Sequence, residues 1–178
     1  MKKLILTYGI IGGLIPAVWF LISEGMLPDS VSLDTRLWLG YASMIVAFAT
    51  IFVAVKKYRD NFGGGLITFG KALRIGLLVT LVASTLYVIV WLISYPLFFP
   101  NYFERYMAML KLQMQAEGKS AAAISQEMAT TVKYREMYKN PVFNILLTYS
   151  EIVPVGIVIS LIAALILKNN PKPAPINA

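Results

Sequence analysis

The chain has 178 residues, 58% of them hydrophobic and only 14% charged, with a formal net charge of +7. It holds no cysteine and no histidine, which excludes disulfides, thiolate chemistry, Cys/His zinc sites, a Ser-His-Asp triad and a histidine pH switch. Soluble domains carry about 25% charged residues, so the deficit and a mean hydropathy of +0.68 point to lipid as the solvent, and the length fits one domain.

Four apolar runs follow in order, at residues 4–22, 37–55, about 73–99 and 142–167. Each meets or exceeds the ~17–25 residues that span the hydrocarbon layer, and none alternates like a barrel strand. The sequence therefore predicts an all-α polytopic membrane protein. Its expected domain is a single four-helix membrane unit over 1–168, followed by a flexible cytoplasmic tail over 169–178. Lys2 and Lys3 before the first run could mark a signal peptide. The run is long, however, contains Gly12, Gly13 and Pro16, and ends in Ser-Glu-Gly-Met without a small-x-small cleavage site, so a retained span is the better reading.

Loop charges set the expected orientation. The first loop carries Glu24, Asp29 and Asp34 against Arg36, whereas the second carries Lys56, Lys57, Arg59, Lys71 and Arg74 against Asp60. Lys168 and Lys172 follow the last run. Positive-inside then puts both termini and the middle loop in the cytoplasm, and the net charge reads as basic flanks facing anionic headgroups, not as a nucleic-acid surface. Trp19, Trp38, Trp91, Tyr95, Phe98, Phe99 and Tyr102 fall at the opposite face, where aromatic residues prefer the headgroup level.

Residues 101–140 then form an extramembrane helical hairpin between the third and fourth spans. Phe103, Tyr106 or Met107, Leu110 and Met114 recur at helical spacing, Gly118 interrupts, and Ser120 is placed to cap a second helix. Ile124, Met128, Val132 and Met137 are the expected apolar stripe of that helix. Asn140-Pro141 reads as N-cap and first residue of the fourth span. Gly63-Gly64-Gly65 lacks the Gly-Lys-Ser/Thr ending of a phosphate loop and is read as an interfacial turn.

Small residues predict packing seams: Gly40, Ser43 and Ala47 (then Ala54) in the second span, and Gly156, Ser160 and Ala164 in the fourth. The candidate polar site centres on Glu151, inside the fourth run. An acid at the bilayer centre costs roughly 2.5–3.5 kcal/mol on insertion scales, so a chain that keeps one gives it a partner, a proton or a task. Pro154 removes the N–H that the Ser150 carbonyl would accept. Ser84 and Tyr87 of the third span lie at a matching level, with the backbone of Gly12, Gly13 and Pro16 as a further candidate partner. No Lys or Arg lies at that depth, so the expectation is a neutral acid facing the bundle interior and hydrogen-bonded across helices.

The lead-in Ile-Thr-Phe-Gly-Lys-Ala-Leu at 67–73, the Met-rich hairpin, and Asn-Pro-Val-Phe-Asn followed by Glu-Ile-Val-Pro-Val-Gly-Ile-Val-Ile-Ser-Leu-Ile-Ala-Ala-Leu-Ile-Leu-Lys over 151–168 resemble bacterial membrane proteins catalogued as domain of unknown function 4199. The resemblance covers nearly the whole chain, implies a bacterial inner-membrane protein, and brings no catalytic residues. The expected role is a non-enzymatic membrane protein acting by interaction or assembly. The alternative is a small transporter or channel component using Glu151. No cofactor or metal is expected. The expected partners are the lipid bilayer and, left open, a second copy of the chain or another membrane protein.

Overall fold

The computed structural model describes residues 1–169; the expected tail beyond Asn169 lies outside the described residues. The chain is all-α, with α1 at Lys2–Met26, α2 at Leu33–Phe62, α3 at Phe69–Phe98, α4 at Tyr102–Ala116, α5 at Ala121–Tyr138 and α6 at Pro141–Leu167. Four of these, α1, α2, α3 and α6, are long and apolar enough to cross a membrane.

The helix starts are written in the sequence. Ser32, Thr68 and Ser120 each accept a bond from the backbone N–H three residues on, and Asn140 takes those of Val142 and Phe143, with Pro141 at the first turn. These side chains satisfy donors that a helix leaves unpaired. Gly64 (φ +57°) and Gly65 (φ +84°) make the α2–α3 turn, and Gly118 (φ +71°) the α4–α5 link, conformations in which a side chain would be strained. Pro154 does not break α6, which runs unbroken from Pro141 to Leu167.

The four long helices form a ring in which α1 and α6 each pack against both α2 and α3, and α2 touches α3 across the middle. The core of that ring holds Phe48, Ile51, Val55, Ile75, Val79 and Ile152, all fully buried. At one end, here the tail end, Ile67 and Asn169 exchange backbone bonds of 3.0 and 2.9 Å, which fastens the end of α6 to the α2–α3 turn. At the other, the hairpin end, α4 lies against α2 and α5 against α6.

Two expectations change here. The inward face of α5 is Ile124, Met128, Thr131, Arg135 and Tyr138, whereas Val132 and Met137 are exposed. The spacings of four, three, four and three follow the helical period more closely than the expected spacings of four, four and five. Asn169, assigned to the tail, is held in the bridge to Ile67.

Candidate cavity at the hairpin end

The two ends of the bundle are built differently. In the tail half, glycines meet neighbours directly. A Cβ on Gly156 would stand 2.7 Å from Thr80 Oγ1 and 2.9 Å from Phe48 Cζ, and one on Gly76 would stand 2.8 Å from Ser160. The Thr80 and Ser160 hydroxyls bond at 3.2 Å in this seam, and Ala47 and Ala164 are buried in the same half. Toward the hairpin end, α2 buries nothing before Met44. A Cβ on Gly40 would meet nothing within 4 Å. Gly40 and Ser43, expected in a packing seam, instead line a cavity of about 430 Å³.

The cavity lies between the hairpin-end halves of α1, α2, α3 and α6, under α4. Phe20, Met44, Tyr87 and Trp91 supply apolar wall, Tyr102 and Met109 come from α4, and Glu151 comes from α6. An aromatic cluster roots α4 here: Phe20 lies 4.6 Å from Trp91, Trp91 stacks on Tyr95 at 5.7 Å, and Phe103 meets Tyr138 edge-on at 5.2 Å.

The mouth is bordered by two arginines that serve the open end of α1. Arg36 donates to the carbonyls of Ser23, Leu27 and Pro28 at 3.1, 3.1 and 2.8 Å and lies 3.8 Å from the Glu24 carboxylate. Arg105 of α4 donates to the Glu24 carbonyl at 3.1 Å and to Asp29 at 2.7 Å. A cation at a helix C-terminus satisfies orphan carbonyls and the dipole together. The bond from Arg105 holds the Asp29 carboxyl below its ordinary range. Gln113 adds bonds to Asp34 at 3.0 Å and from the Leu33 N–H at 3.2 Å.

Glu151 is an exposed residue of the cavity wall, and its carboxylate makes no hydrogen bond or ion pair to a described residue. The expected bonds to Ser84, Tyr87 and the Gly12–Pro16 backbone are not formed. For the α1 backbone the reason is the ring order, whereas α3 packs directly on α6 and Tyr87 shares the cavity wall with Glu151 without bonding to it. α1 and α6 stand at opposite corners, and Gly12 and Gly13 are pressed onto Ala47, Thr50 and Ala83 instead. Ser84 is fully buried, its hydroxyl without a partner among the described residues. Ser150 donates back to the Leu147 carbonyl at 2.7 Å, outside the cavity, and Pro154 is exposed. Of the expected polar site, the structure brings Glu151 and Tyr87 together in the cavity wall, with Pro16 of the expected α1 partners also lining it.

Three participants were missed by sequence reasoning. Tyr102 and Tyr138 line the cavity from α4 and from the end of α5, and neither hydroxyl bonds to a described residue. Burial, and secondarily the charge of Glu151, pushes the Tyr138 phenol well above its usual value, which registers the proximity of the two groups. Asn144 is the third. It is 3% exposed and accepts from the Trp91 indole N–H at 2.9 Å, while Thr148 donates to its carbonyl at 2.8 Å. The sequence signal was available: Asn144 and Thr148 stand four apart in an apolar run, one on each of the two turns before Glu151. A further rung, Thr85 to Tyr149 at 2.8 Å, ties α3 to α6.

A family model described as Protein of unknown function (DUF4199) matches residues 7–169. No curated protein and no solved structure matches the chain.

Proposed function

The chain belongs to the family described as Protein of unknown function (DUF4199), and we propose from its own residues that it is a non-enzymatic integral membrane protein acting by interaction, with the cavity under α4 as its binding site. The observation that carries this reading is a cavity of about 430 Å³, within the ~300–1,000 Å³ typical of small-molecule sites. Its roof is a helix fastened by Arg105 and Gln113. Nucleophilic catalysis needs a hydroxyl within reach of a base. The α6 hydroxyls nearest Glu151 in sequence are engaged elsewhere, Thr148 with Asn144, Tyr149 with Thr85 and Ser150 with Leu147, and the cavity tyrosines Tyr87, Tyr102 and Tyr138 make no hydrogen bond to Glu151.

The test is native mass spectrometry from mild detergent. Wild type is expected to carry a bound species, and Gly40→Phe, which has room to fill the cavity, is expected to lose it. Identical spectra for the two would overturn the cavity as the site of interaction.

The second reading is a small transporter or channel component. It is favoured by the position of Glu151 in the cavity wall within a helix long enough to span. Proton or ion flux in vesicles that disappears with Glu151→Gln would move this reading ahead.

The proposed setting is a bacterial inner membrane, with both termini cytoplasmic and α4–α5 outside as an extramembrane hairpin. Its support is the cluster of Lys56, Lys57, Arg59, Lys71 and Arg74 at the tail end. The chain lacks cysteine, so single-cysteine labelling is clean. A cysteine at Ser125 should react with an impermeant reagent in intact spheroplasts and one at Asn61 should not; the reverse would invert the orientation.

A further inference from the structure

We propose that the cavity binds a monovalent organic cation carrying an apolar body, its charge set against Glu151 and its body against the aromatic wall. The inference rests on the reading of the cavity as the binding site and names the class of its ligand.

Charge comes first. The cavity is bordered by the acids Glu24, Asp34 and Glu151 and by the bases Arg36 and Arg105. Both arginines are committed at the mouth, Arg36 to α1 carbonyls and Glu24, Arg105 to Asp29 and the Glu24 carbonyl. Asp34 is engaged by Gln113. Glu151 is left, among the described residues, as a carboxylate without an ion pair or a hydrogen bond. An anionic guest would meet this acid while the cations that could receive it are already bound.

The aromatic lining decides the kind of cation. Tyr87 is 9% exposed, lines the cavity, and its hydroxyl bonds to no described residue. Tyr102 and Tyr138 line the same space, and their hydroxyls bond to no described residue. Aromatic rings attract a cation at their faces, most strongly where water is excluded, and such rings recognise quaternary ammonium groups. A metal ion prefers several oxygen ligands and a hydrated or carboxylate-rich shell. No group of three metal-ligating side chains converges among the described residues. One carboxylate amid aromatic and aliphatic wall suits one positive charge on a poorly hydrated molecule.

The experiment uses the full chain in lipid nanodiscs with radiolabelled tetraphenylphosphonium as the probe cation and triphenylphosphine oxide as a neutral competitor. Expected is saturable binding that the neutral compound does not displace. Glu151→Gln should weaken it by at least roughly tenfold and Tyr87→Leu by roughly tenfold, with Tyr87→Phe close to wild type. Glu151→Asp keeps the charge and should keep measurable binding, which separates loss of charge from loss of fold. Absent binding to wild type, equal binding to Glu151→Gln, or displacement by the neutral compound would each overturn the proposal. If native spectra of the same preparation still show a species that Gly40→Phe removes, the cavity remains the site and the ligand class alone is wrong. If neither appears, both readings fall.

Discussion

The tail half and the hairpin half of the bundle are made from the same four helices and the same kinds of residue, yet they solve different problems. In the tail half Gly76 and Gly156 let α3, α6 and α2 meet with Thr80, Ser160 and Phe48 pressed into the contact. In the hairpin half a Cβ on Gly40 would meet nothing within 4 Å, Glu151 has no partner among the described residues, and an open-sided cavity takes the place of packing. Lipid supplies no hydrophobic drive between helices, so close contact must come from dispersion and from hydrogen bonds. Where contact fails, another element must hold the structure. Here that element is α4, pinned by Arg105 and an aromatic cluster. Small residues mark the tight half only where their neighbours converge.

The largest contrast should come from the same substitution at two glycines. Gly156→Ala puts a methyl against Thr80 and Phe48 and should cost about 1–3 kcal/mol through overpacking. Gly40→Ala has open space and should gain about 0.5–1 kcal/mol from reduced backbone freedom. Reversible unfolding in mixed micelles reads both. Equal destabilisation would mean that the hairpin half is as tightly packed as the tail half.

Next is the buried polar rung at the boundary. Asn144→Leu strands the Trp91 indole N–H, while Thr148 keeps its bond to the backbone carbonyl of residue 144, and should cost about 1–3 kcal/mol. A shift in tryptophan fluorescence should accompany it. A silent substitution would show that Trp91 finds its acceptor elsewhere.

Glu151 should behave oppositely. With no bond to a described residue to lose, Glu151→Gln and Glu151→Leu are each expected to move stability by less than about 0.5 kcal/mol. A cost above about 1 kcal/mol for Leu, with Gln unaffected, would reveal a hidden partner for the carboxyl.

The smallest effect concerns the clasp between α4 and the α1–α2 link. Asp29 has a depressed folded value because Arg105 donates to it. Its contribution is therefore complete above the ordinary carboxylate value of about 3.9 and is lost as pH falls through the lower folded value. Protection factors of α4 amides, with the intrinsic pH dependence of exchange divided out, should be unchanged from neutrality to about pH 5 and should fall below about pH 4. Arg105→Ala should remove that pH dependence and raise the exchange at neutral pH. Salt should mimic part of the effect, since the pair is exposed. Insensitivity of α4 to all three would sink the clasp.

Much of the site was legible in pieces. Glu151 stood out because an acid in a spanning run is costly, and Tyr87 because it falls at the same depth on a neighbouring span. Their companions did not. Tyr102 and Tyr138 belong to α4 and to the end of α5, and their place in the cavity wall depends on how α4 and α5 fold back over the bundle. The small-residue stripe in α2 was visible as a stripe. That Ala47 is packed while Gly40 is open depends on which neighbour lies opposite.

The sequence by itself determined the class, the number of long apolar helices, their caps and turns, and the helical pair between α3 and α6. Each of these is a local or additive property: run length, a capping hydroxyl or amide, a glycine at positive φ, a period of 3.6. Only the tertiary structure decided that α1 and α6 stand at opposite corners and that Glu151 looks into a cavity instead of meeting Ser84 or the Gly12–Gly13 backbone. Helix order around a ring leaves no trace in the periodicity of any one helix. It follows from the sum of many weak contacts between faces that several arrangements could pair.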